Sequence, residues 1–192
     1  MDPHSPYNLG FENAHLFLDN RDAPFEEKEV SDILNDYLNR SKNGFPKSKL
    51  NSLVALYDAE INYLDNNLGV LFSRFDELGF LNNSIIIITS DHGEEFLEHG
   101  GYNHRKTCYI EQIHVPLIVY YPSVLEPKEV TSVVENMDIF STILDLVEID
   151  LPVSAAAVQS QSLVPLMAGN EQSSMDFYGI SLYSDVNQSR NH

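Results

Sequence analysis

Ile85-Ile-Ile-Ile-Thr-Ser-Asp-His-Gly-Glu-Glu95 is the stretch on which the fold turns. Four consecutive isoleucines suit a strand covered on both faces, as in parallel sheets. The run stops at Thr89-Ser90, so Asp91-His92-Gly93 follows the strand's carboxyl end, the edge where open α/β sheets bind ligands. A carboxylate beside an imidazole there supplies one hard oxygen and one nitrogen, a workable pair for a divalent cation. The same dipeptide also fits an Asp-capped turn with an exposed histidine. Both readings stand at this point.

Downstream, Glu94, Glu95, Glu98, His99, His104, Arg105 and Lys106 crowd one polar segment punctuated by Gly93, Gly100 and Gly101. Such a segment reads as a loop, and loops on rigid scaffolds carry function. Leu117 to Tyr121, closed by Pro122, is a second buried-strand candidate. Upstream, Leu50, Leu53, Val54, Tyr57, Ile61, Leu64, Leu68, Leu71, Phe72, Phe75 and Leu78 recur at 3–4 spacing. That spacing predicts a long amphipathic helix over about 50–79, stopped by Gly79. A shorter helix is expected over Glu29 to Arg40, broken at Asn43-Gly-Phe-Pro46. Glu129 to Val134 reads as a third strand, and Ile139, Ile143, Leu144 and Val147 mark a helix ending before Pro152. The alternation is that of an α/β sheet.

The 192 residues are 43% hydrophobic, enough for one domain with a sizeable core. No apolar run is long enough to span a bilayer. No charged-then-apolar leader opens the chain, which leaves its compartment open. One cysteine, Cys108, excludes an internal disulfide and any multi-cysteine metal site, and reads as a small half-buried hydrophobe. A formal net charge of −18 with no basic patch argues against nucleic acid as a partner. The acidity reads as a solvated surface.

Taken together, Thr89-Ser-Asp-His-Gly-Glu94, Glu98-His-Gly100, and His104, Thr107, Tyr109, Glu111 and His114-Val-Pro-Leu-Ile118 resemble the carboxyl-terminal half of a sulfatase, in the alkaline-phosphatase-like superfamily. Asp2-Pro-His-Ser-Pro-Tyr7 resembles that family's histidine-proline segment. Leu56-Tyr-Asp-Ala-Glu-Ile61 through Gly69 resembles the helix before its Asp-His strand. Asn136 to Thr142 and Ser162 to Leu166 resemble a later helix and loop, so the likeness runs over about residues 1–168. It implies an α/β fold, part of an alkaline-phosphatase-like mixed sheet flanked by helices and incomplete on its N-terminal side. One partial catalytic domain is expected over 1–192: segment 1–28, helix 50–79, the metal-site strand, loop and next strand over 84–122, and a shortened part over 123–192.

By the same resemblance, Asp91 and His92 are ligands of a catalytic divalent cation, with calcium expected and manganese, magnesium or zinc as alternatives. His4 and His104 are the implied catalytic groups, donating protons or binding the anion, and Arg105 and Lys106 join them in substrate binding. His99 and His114 are weaker candidates, the first at a loop rim, the second either packed or at the surface. Glu94 and Glu95 are expected to cap or solvate their segment. The substrate implied is a small anionic ester, a sulfated sugar or an aryl or alkyl sulfate.

One departure matters. Sulfatases use a formylglycine made within Cys/Ser-x-Pro/Ala-x-Arg, and no such motif occurs here. Cys108 is followed by Tyr-Ile-Glu-Gln, and the amino-terminal pair of acidic ligands is missing too. The chain is therefore expected to need a missing N-terminal half and to show no turnover alone. A phosphodiesterase, a phosphoethanolamine or glycerol-phosphate transferase, or a non-catalytic binding module remain the alternatives. For a full-length relative, a periplasmic or extracellular location is the expectation.

Overall fold

The computed structural model describes residues 3–4, 7, 11–18, 32, 47–101, 104, 107–150 and 159–170. The described residues form an α/β fold divided into two compact units. The first comprises Met1–Leu81 with Glu94–Asn103, the second Asn82–Gly93 with His104–His192. The short helix expected over Glu29 to Arg40, apart from residue 32, and the tail beyond residue 170 lie outside the described residues.

In the first unit, the 3–4 spacing delivers α1, Lys47–Glu77. Its end is set by Gly79 at φ +72°, where the Gly79 N–H donates to the Asp76 carbonyl and the Phe80 N–H to that of Phe75. Two such bonds close the last turn because glycine adopts the left-handed region without Cβ strain. The Phe75 and Phe80 rings meet edge-on at 6.1 Å, the apolar contact that accompanies this cap. Leu53, Ala55, Leu56 and Ala59 are buried, and a 3-10 turn over Phe11–Leu16 places buried Ala14 in the same unit. Each fully buried leucine stabilises by about 1.5–3 kcal/mol. Past residue 60 the stripe of Leu64, Leu68, Phe72 and Phe75 is half-buried, while Val70 at 72% and Leu71 at 43% are exposed.

Among the described residues of this unit, the carboxylates of Glu60, Glu94 and Glu95 are buried. Each has a donor, as burial requires. Glu60 accepts from the His4 N–H at 3.2 Å, Glu94 from the Tyr7 hydroxyl at 2.5 Å, and Glu95 from the Gly101 and His99 N–H groups at 2.8 and 3.2 Å. Glu95 thus caps its loop, as expected, but neither glutamate is solvated. The Tyr7, Tyr57 and Phe96 rings pack together, 5.5 Å between the tyrosines and 5.2 Å from Tyr57 to Phe96.

Burial also raises the Asp58 carboxyl above its ordinary value. Its folded pKa then exceeds the unfolded one, so stability falls as pH rises through the folded value. Asp58→Asn removes the charge and should melt modestly higher than the parent at neutral pH. The gap should close below about pH 4, where both side chains are neutral. Melting curves across pH check this; an equal gap at all pH values would refute a charge-based origin.

The second unit carries β1, Ile86–Thr89, the turn α2, Ile110–Ile113, then β2, Leu117–Tyr120, α3, Asp138–Leu146, and α4, Val164–Met167. The strands pair antiparallel, Ile86 opposite Tyr120 and Thr89 opposite Leu117. The expectation of a strand covered on both faces is corrected here. The β1 isoleucines are half-buried, and on β2 exposed Ile118 and Tyr120 alternate with half-buried Leu117 and Val119. An unbroken apolar run specifies a strand but not what covers it. The third strand expected over Glu129 to Val134 does not form. That segment is irregular and lines a groove of about 650 Å³ beside β2, together with Leu163, Leu166 and Met167. Val133 is 68% exposed, so its β propensity is not backed by packing.

Polar side chains of α3 hold the chain on either side of it. Buried Asp138 accepts from the Glu135 and Gln161 N–H groups at 3.1 and 3.0 Å. The Thr142 hydroxyl donates to the Asp138 carbonyl and accepts from the Leu163 N–H at 2.9 Å. These bonds lay residues 160–163 along the helix.

Candidate functional site

The end of β1 is fixed by a side chain from far along the sequence. The Asn136 amide donates to the Ser90 carbonyl at 2.8 Å and accepts from the Thr89 hydroxyl at 3.2 Å. One planar amide thereby grips the two residues before Asp91. The Ser90 hydroxyl then donates to the His92 carbonyl at 2.7 Å, tightening the turn.

Within that turn the His92 Nδ1 lies 2.9 Å from the Gly93 carbonyl. A carbonyl only accepts, so Nδ1 carries the proton and Nε2 the lone pair in the neutral ring. Nε2 is 3.7 Å from Asp91 Oδ1. Two lone-pair donors at that separation can share one ion whose bonds run about 2.0–2.6 Å. The backbone carbonyl behind the imidazole is the kind of outer partner that metal-ligating histidines use. The pair therefore fits a divalent cation. One imidazole with one carboxylate admits manganese or zinc as readily as calcium. The Asp91 side chain is 66% exposed, which leaves it accessible.

Gly93 seats this turn against α2. Its N–H donates to the Gln112 carbonyl at 2.8 Å, and a Cβ at this position would lie 2.1 Å from the Glu111 carbonyl oxygen. Only glycine fits. Buried Gln112 in turn donates from Nε2 to the Thr107 hydroxyl at 2.7 Å. His104 stacks on His92, ring centroids 3.7 Å apart and planes 21° from parallel.

Of the residues expected from sequence, Asp91, His92 and His104 come together in the second unit. His4 belongs to the first, where it is exposed and its N–H is held by Glu60. Arg105 and Lys106 lie outside the described residues. His99 is an exposed loop residue on Glu95, and His114 is exposed with its N–H closing α2 on the Ile110 carbonyl. Sequence reasoning missed Asn136, Gln112 and the Gly93–Glu111 contact as parts of the site. An Asn two residues before a helix and a Gln inside an apolar turn were the faint signals.

Residues 11–149 match the family model described as Sulfatase. That span begins after the histidine-proline segment and stops short of residue 168, narrower than the likeness read from sequence. Arylsulfatase K of Bos taurus is 32% identical over 153 residues, covering 78% of this chain and 28% of that protein. Among solved structures, a phosphonate monoester hydrolase from Silicibacter pomeroyi superposes with a TM-score of 0.64 at 26% identity, over 92% of this chain and 36% of its own. BT4656, solved with its substrate D-glucosamine-2-N,6-O-disulfate, gives 0.56 at 26% identity, over 77% of this chain and 31% of its own. The chain thus spans from 28% to 36% of the length of these relatives. With a family match over more than half of its residues, the chain belongs to the sulfatase family.

Proposed function

We propose that this chain carries the metal-holding and leaving-group side of a sulfuric-ester hydrolase site. The observation that supports this most is the Asp91–His92 pair at the end of β1, with the imidazole tautomer set by the Gly93 carbonyl. A divalent cation, when bound, supplies positive charge that steadies charge on a sulfate or phosphate oxygen. Asp91 and His92 hold it, and Ser90, Gly93 and Asn136 orient the two. His104, stacked on His92, donates a proton to the leaving oxygen or a hydrogen bond to the anion. By family resemblance His4, Arg105 and Lys106 are the remaining anion contacts. The substrate class is a small anionic ester, and calcium or another divalent ion is the cofactor. No Cys/Ser-x-Pro/Ala-x-Arg occurs in the 192 residues, so the nucleophile has to come from outside them.

A second reading, hydrolysis of phosphonate or phosphate esters, is favoured by the likeness to phosphonate monoester hydrolases, including that of Agrobacterium radiobacter at a TM-score of 0.61. Calorimetric titration of the chain with 4-nitrophenyl sulfate and with 4-nitrophenyl phenylphosphonate, each with and without Mn²⁺, separates the two. The expected result is metal-dependent binding of the sulfate at least about tenfold tighter, or 1.4 kcal/mol, without release of nitrophenol. The reverse preference supports the second reading. Nitrophenol release that Asp91→Asn abolishes would contradict an external nucleophile.

A further inference from the structure

Gln112 occupies a place in the second unit that none of the proposed chemistry uses. It is buried, polar, and joined to both flanks of the His92–His104 stack. Through its backbone carbonyl it holds the Gly93 N–H, one residue after His92. Through its side chain it holds the Thr107 hydroxyl, three residues after His104. The two bonds, 2.8 and 2.7 Å, come from the backbone and the side chain of one residue in a one-turn helix, so a single residue links Gly93 to Thr107. The backbone end cannot slide, because Gly93 already lies against the Glu111 carbonyl with no room for a Cβ. The side-chain end therefore ties Thr107 to the turn that holds Gly93.

We infer that Gln112 is a positioning residue, which sets the register of His104 on His92 by tying Thr107 to the Asp91–Gly93 turn. Its value to catalysis rests on the proposed role of His104; its effect on the ring stack does not. Without the Thr107 bond, Thr107 loses its link to the turn that carries His92, and aromatic pairs of this kind contribute little on their own. A buried amide that loses a hydrogen bond adds a penalty of its own.

Proton NMR of the imidazole rings in the metal-free chain, with no ester present, tests this. Each ring lies over the face of the other, so the His92 and His104 ring protons should resonate upfield of those of exposed His15. Gln112→Ala and Thr107→Val should each abolish that displacement, and the double variant should do no more than either single one. Gln112→Glu should retain it, because the Thr107 hydroxyl can donate to a carboxylate. If Gln112→Ala does not fold, Thr107→Val decides, since it removes only a half-buried hydroxyl and keeps the shape. Upfield His92 and His104 resonances retained in a folded Thr107→Val chain would overturn the inference, as would their loss in Gln112→Glu to the same extent as in Gln112→Ala. Because no ester or metal enters the measurement, failure of the hydrolase proposal leaves its outcome unaffected.

Discussion

Gly93→Ala should destabilise the chain more than any other single methyl addition at a described glycine, and should abolish divalent-cation binding. The added Cβ would lie 2.1 Å from the Glu111 carbonyl oxygen and 3.1 Å from its carbon, both backbone atoms. Neither can swing aside. The turn or α2 has to move as a whole, breaking the Gly93–Gln112 bond. Overpacking of this kind costs about 1–3 kcal/mol, which for a chain of this size lowers Tm by roughly 2–12 °C. Gly101→Ala is a useful contrast, since its Cβ would meet the Glu95 carboxylate at 2.7 Å, the end of a side chain. Gly69→Ala meets nothing within 4 Å and, inside α1, should stabilise by about 0.5–1 kcal/mol. Thermal melts of the three variants give the order, and a parent-like Tm for Gly93→Ala would refute the seating of the turn on α2.

Asp91→Asn and His92→Gln should each weaken divalent-cation binding by more than the roughly 10–100-fold that loss of an outer-shell partner costs. Both remove a donor atom from the pair, and Asn also removes the negative charge on which affinity for hard cations depends. Glu126→Gln, an exposed acid away from the turn, is the control. A chain of net charge −18 attracts cations everywhere, but that diffuse attraction is screened by salt. Titrations at moderate ionic strength should therefore separate the Asp91–His92 site from the background. Equal affinities for all three variants would mean that the background is all there is.

Much of this fold is legible in the sequence because its signals are local. The α1 stripe repeats over eight turns and ends at a glycine whose positive φ the pattern anticipates. The isoleucine run and Leu117 to Tyr120, flanked by prolines, locate both strands. Their antiparallel pairing and partial exposure are not local properties. Neither is the failure of residues 129–134 to pair, where Val130 and Val134 are half-buried and Val133 is exposed in an irregular segment.

The site divides along the same line. Asp91 and His92 are neighbours at a strand end and can be read off directly. Asn136 grips Ser90 from 46 residues away, and Gln112 reaches Gly93 from 19 residues along, and no periodicity announces either. Glu94 and Glu95 look like loop acids in the sequence. They are buried because Tyr7 and two backbone N–H groups are there to meet them, donors that the local sequence does not reveal.

The most direct test of the metal-holding pair is a Mn²⁺ titration followed by proton NMR of the histidine rings. Paramagnetic broadening falls off steeply with distance, and His15 and His114 provide exposed comparators in the same spectrum. The His92 and His104 resonances should broaden at substoichiometric Mn²⁺, well before those two, and Asp91→Asn should remove the difference. Broadening of His92 no earlier than that of His15 and His114, or selective broadening that survives Asp91→Asn, would contradict a metal site at the end of β1.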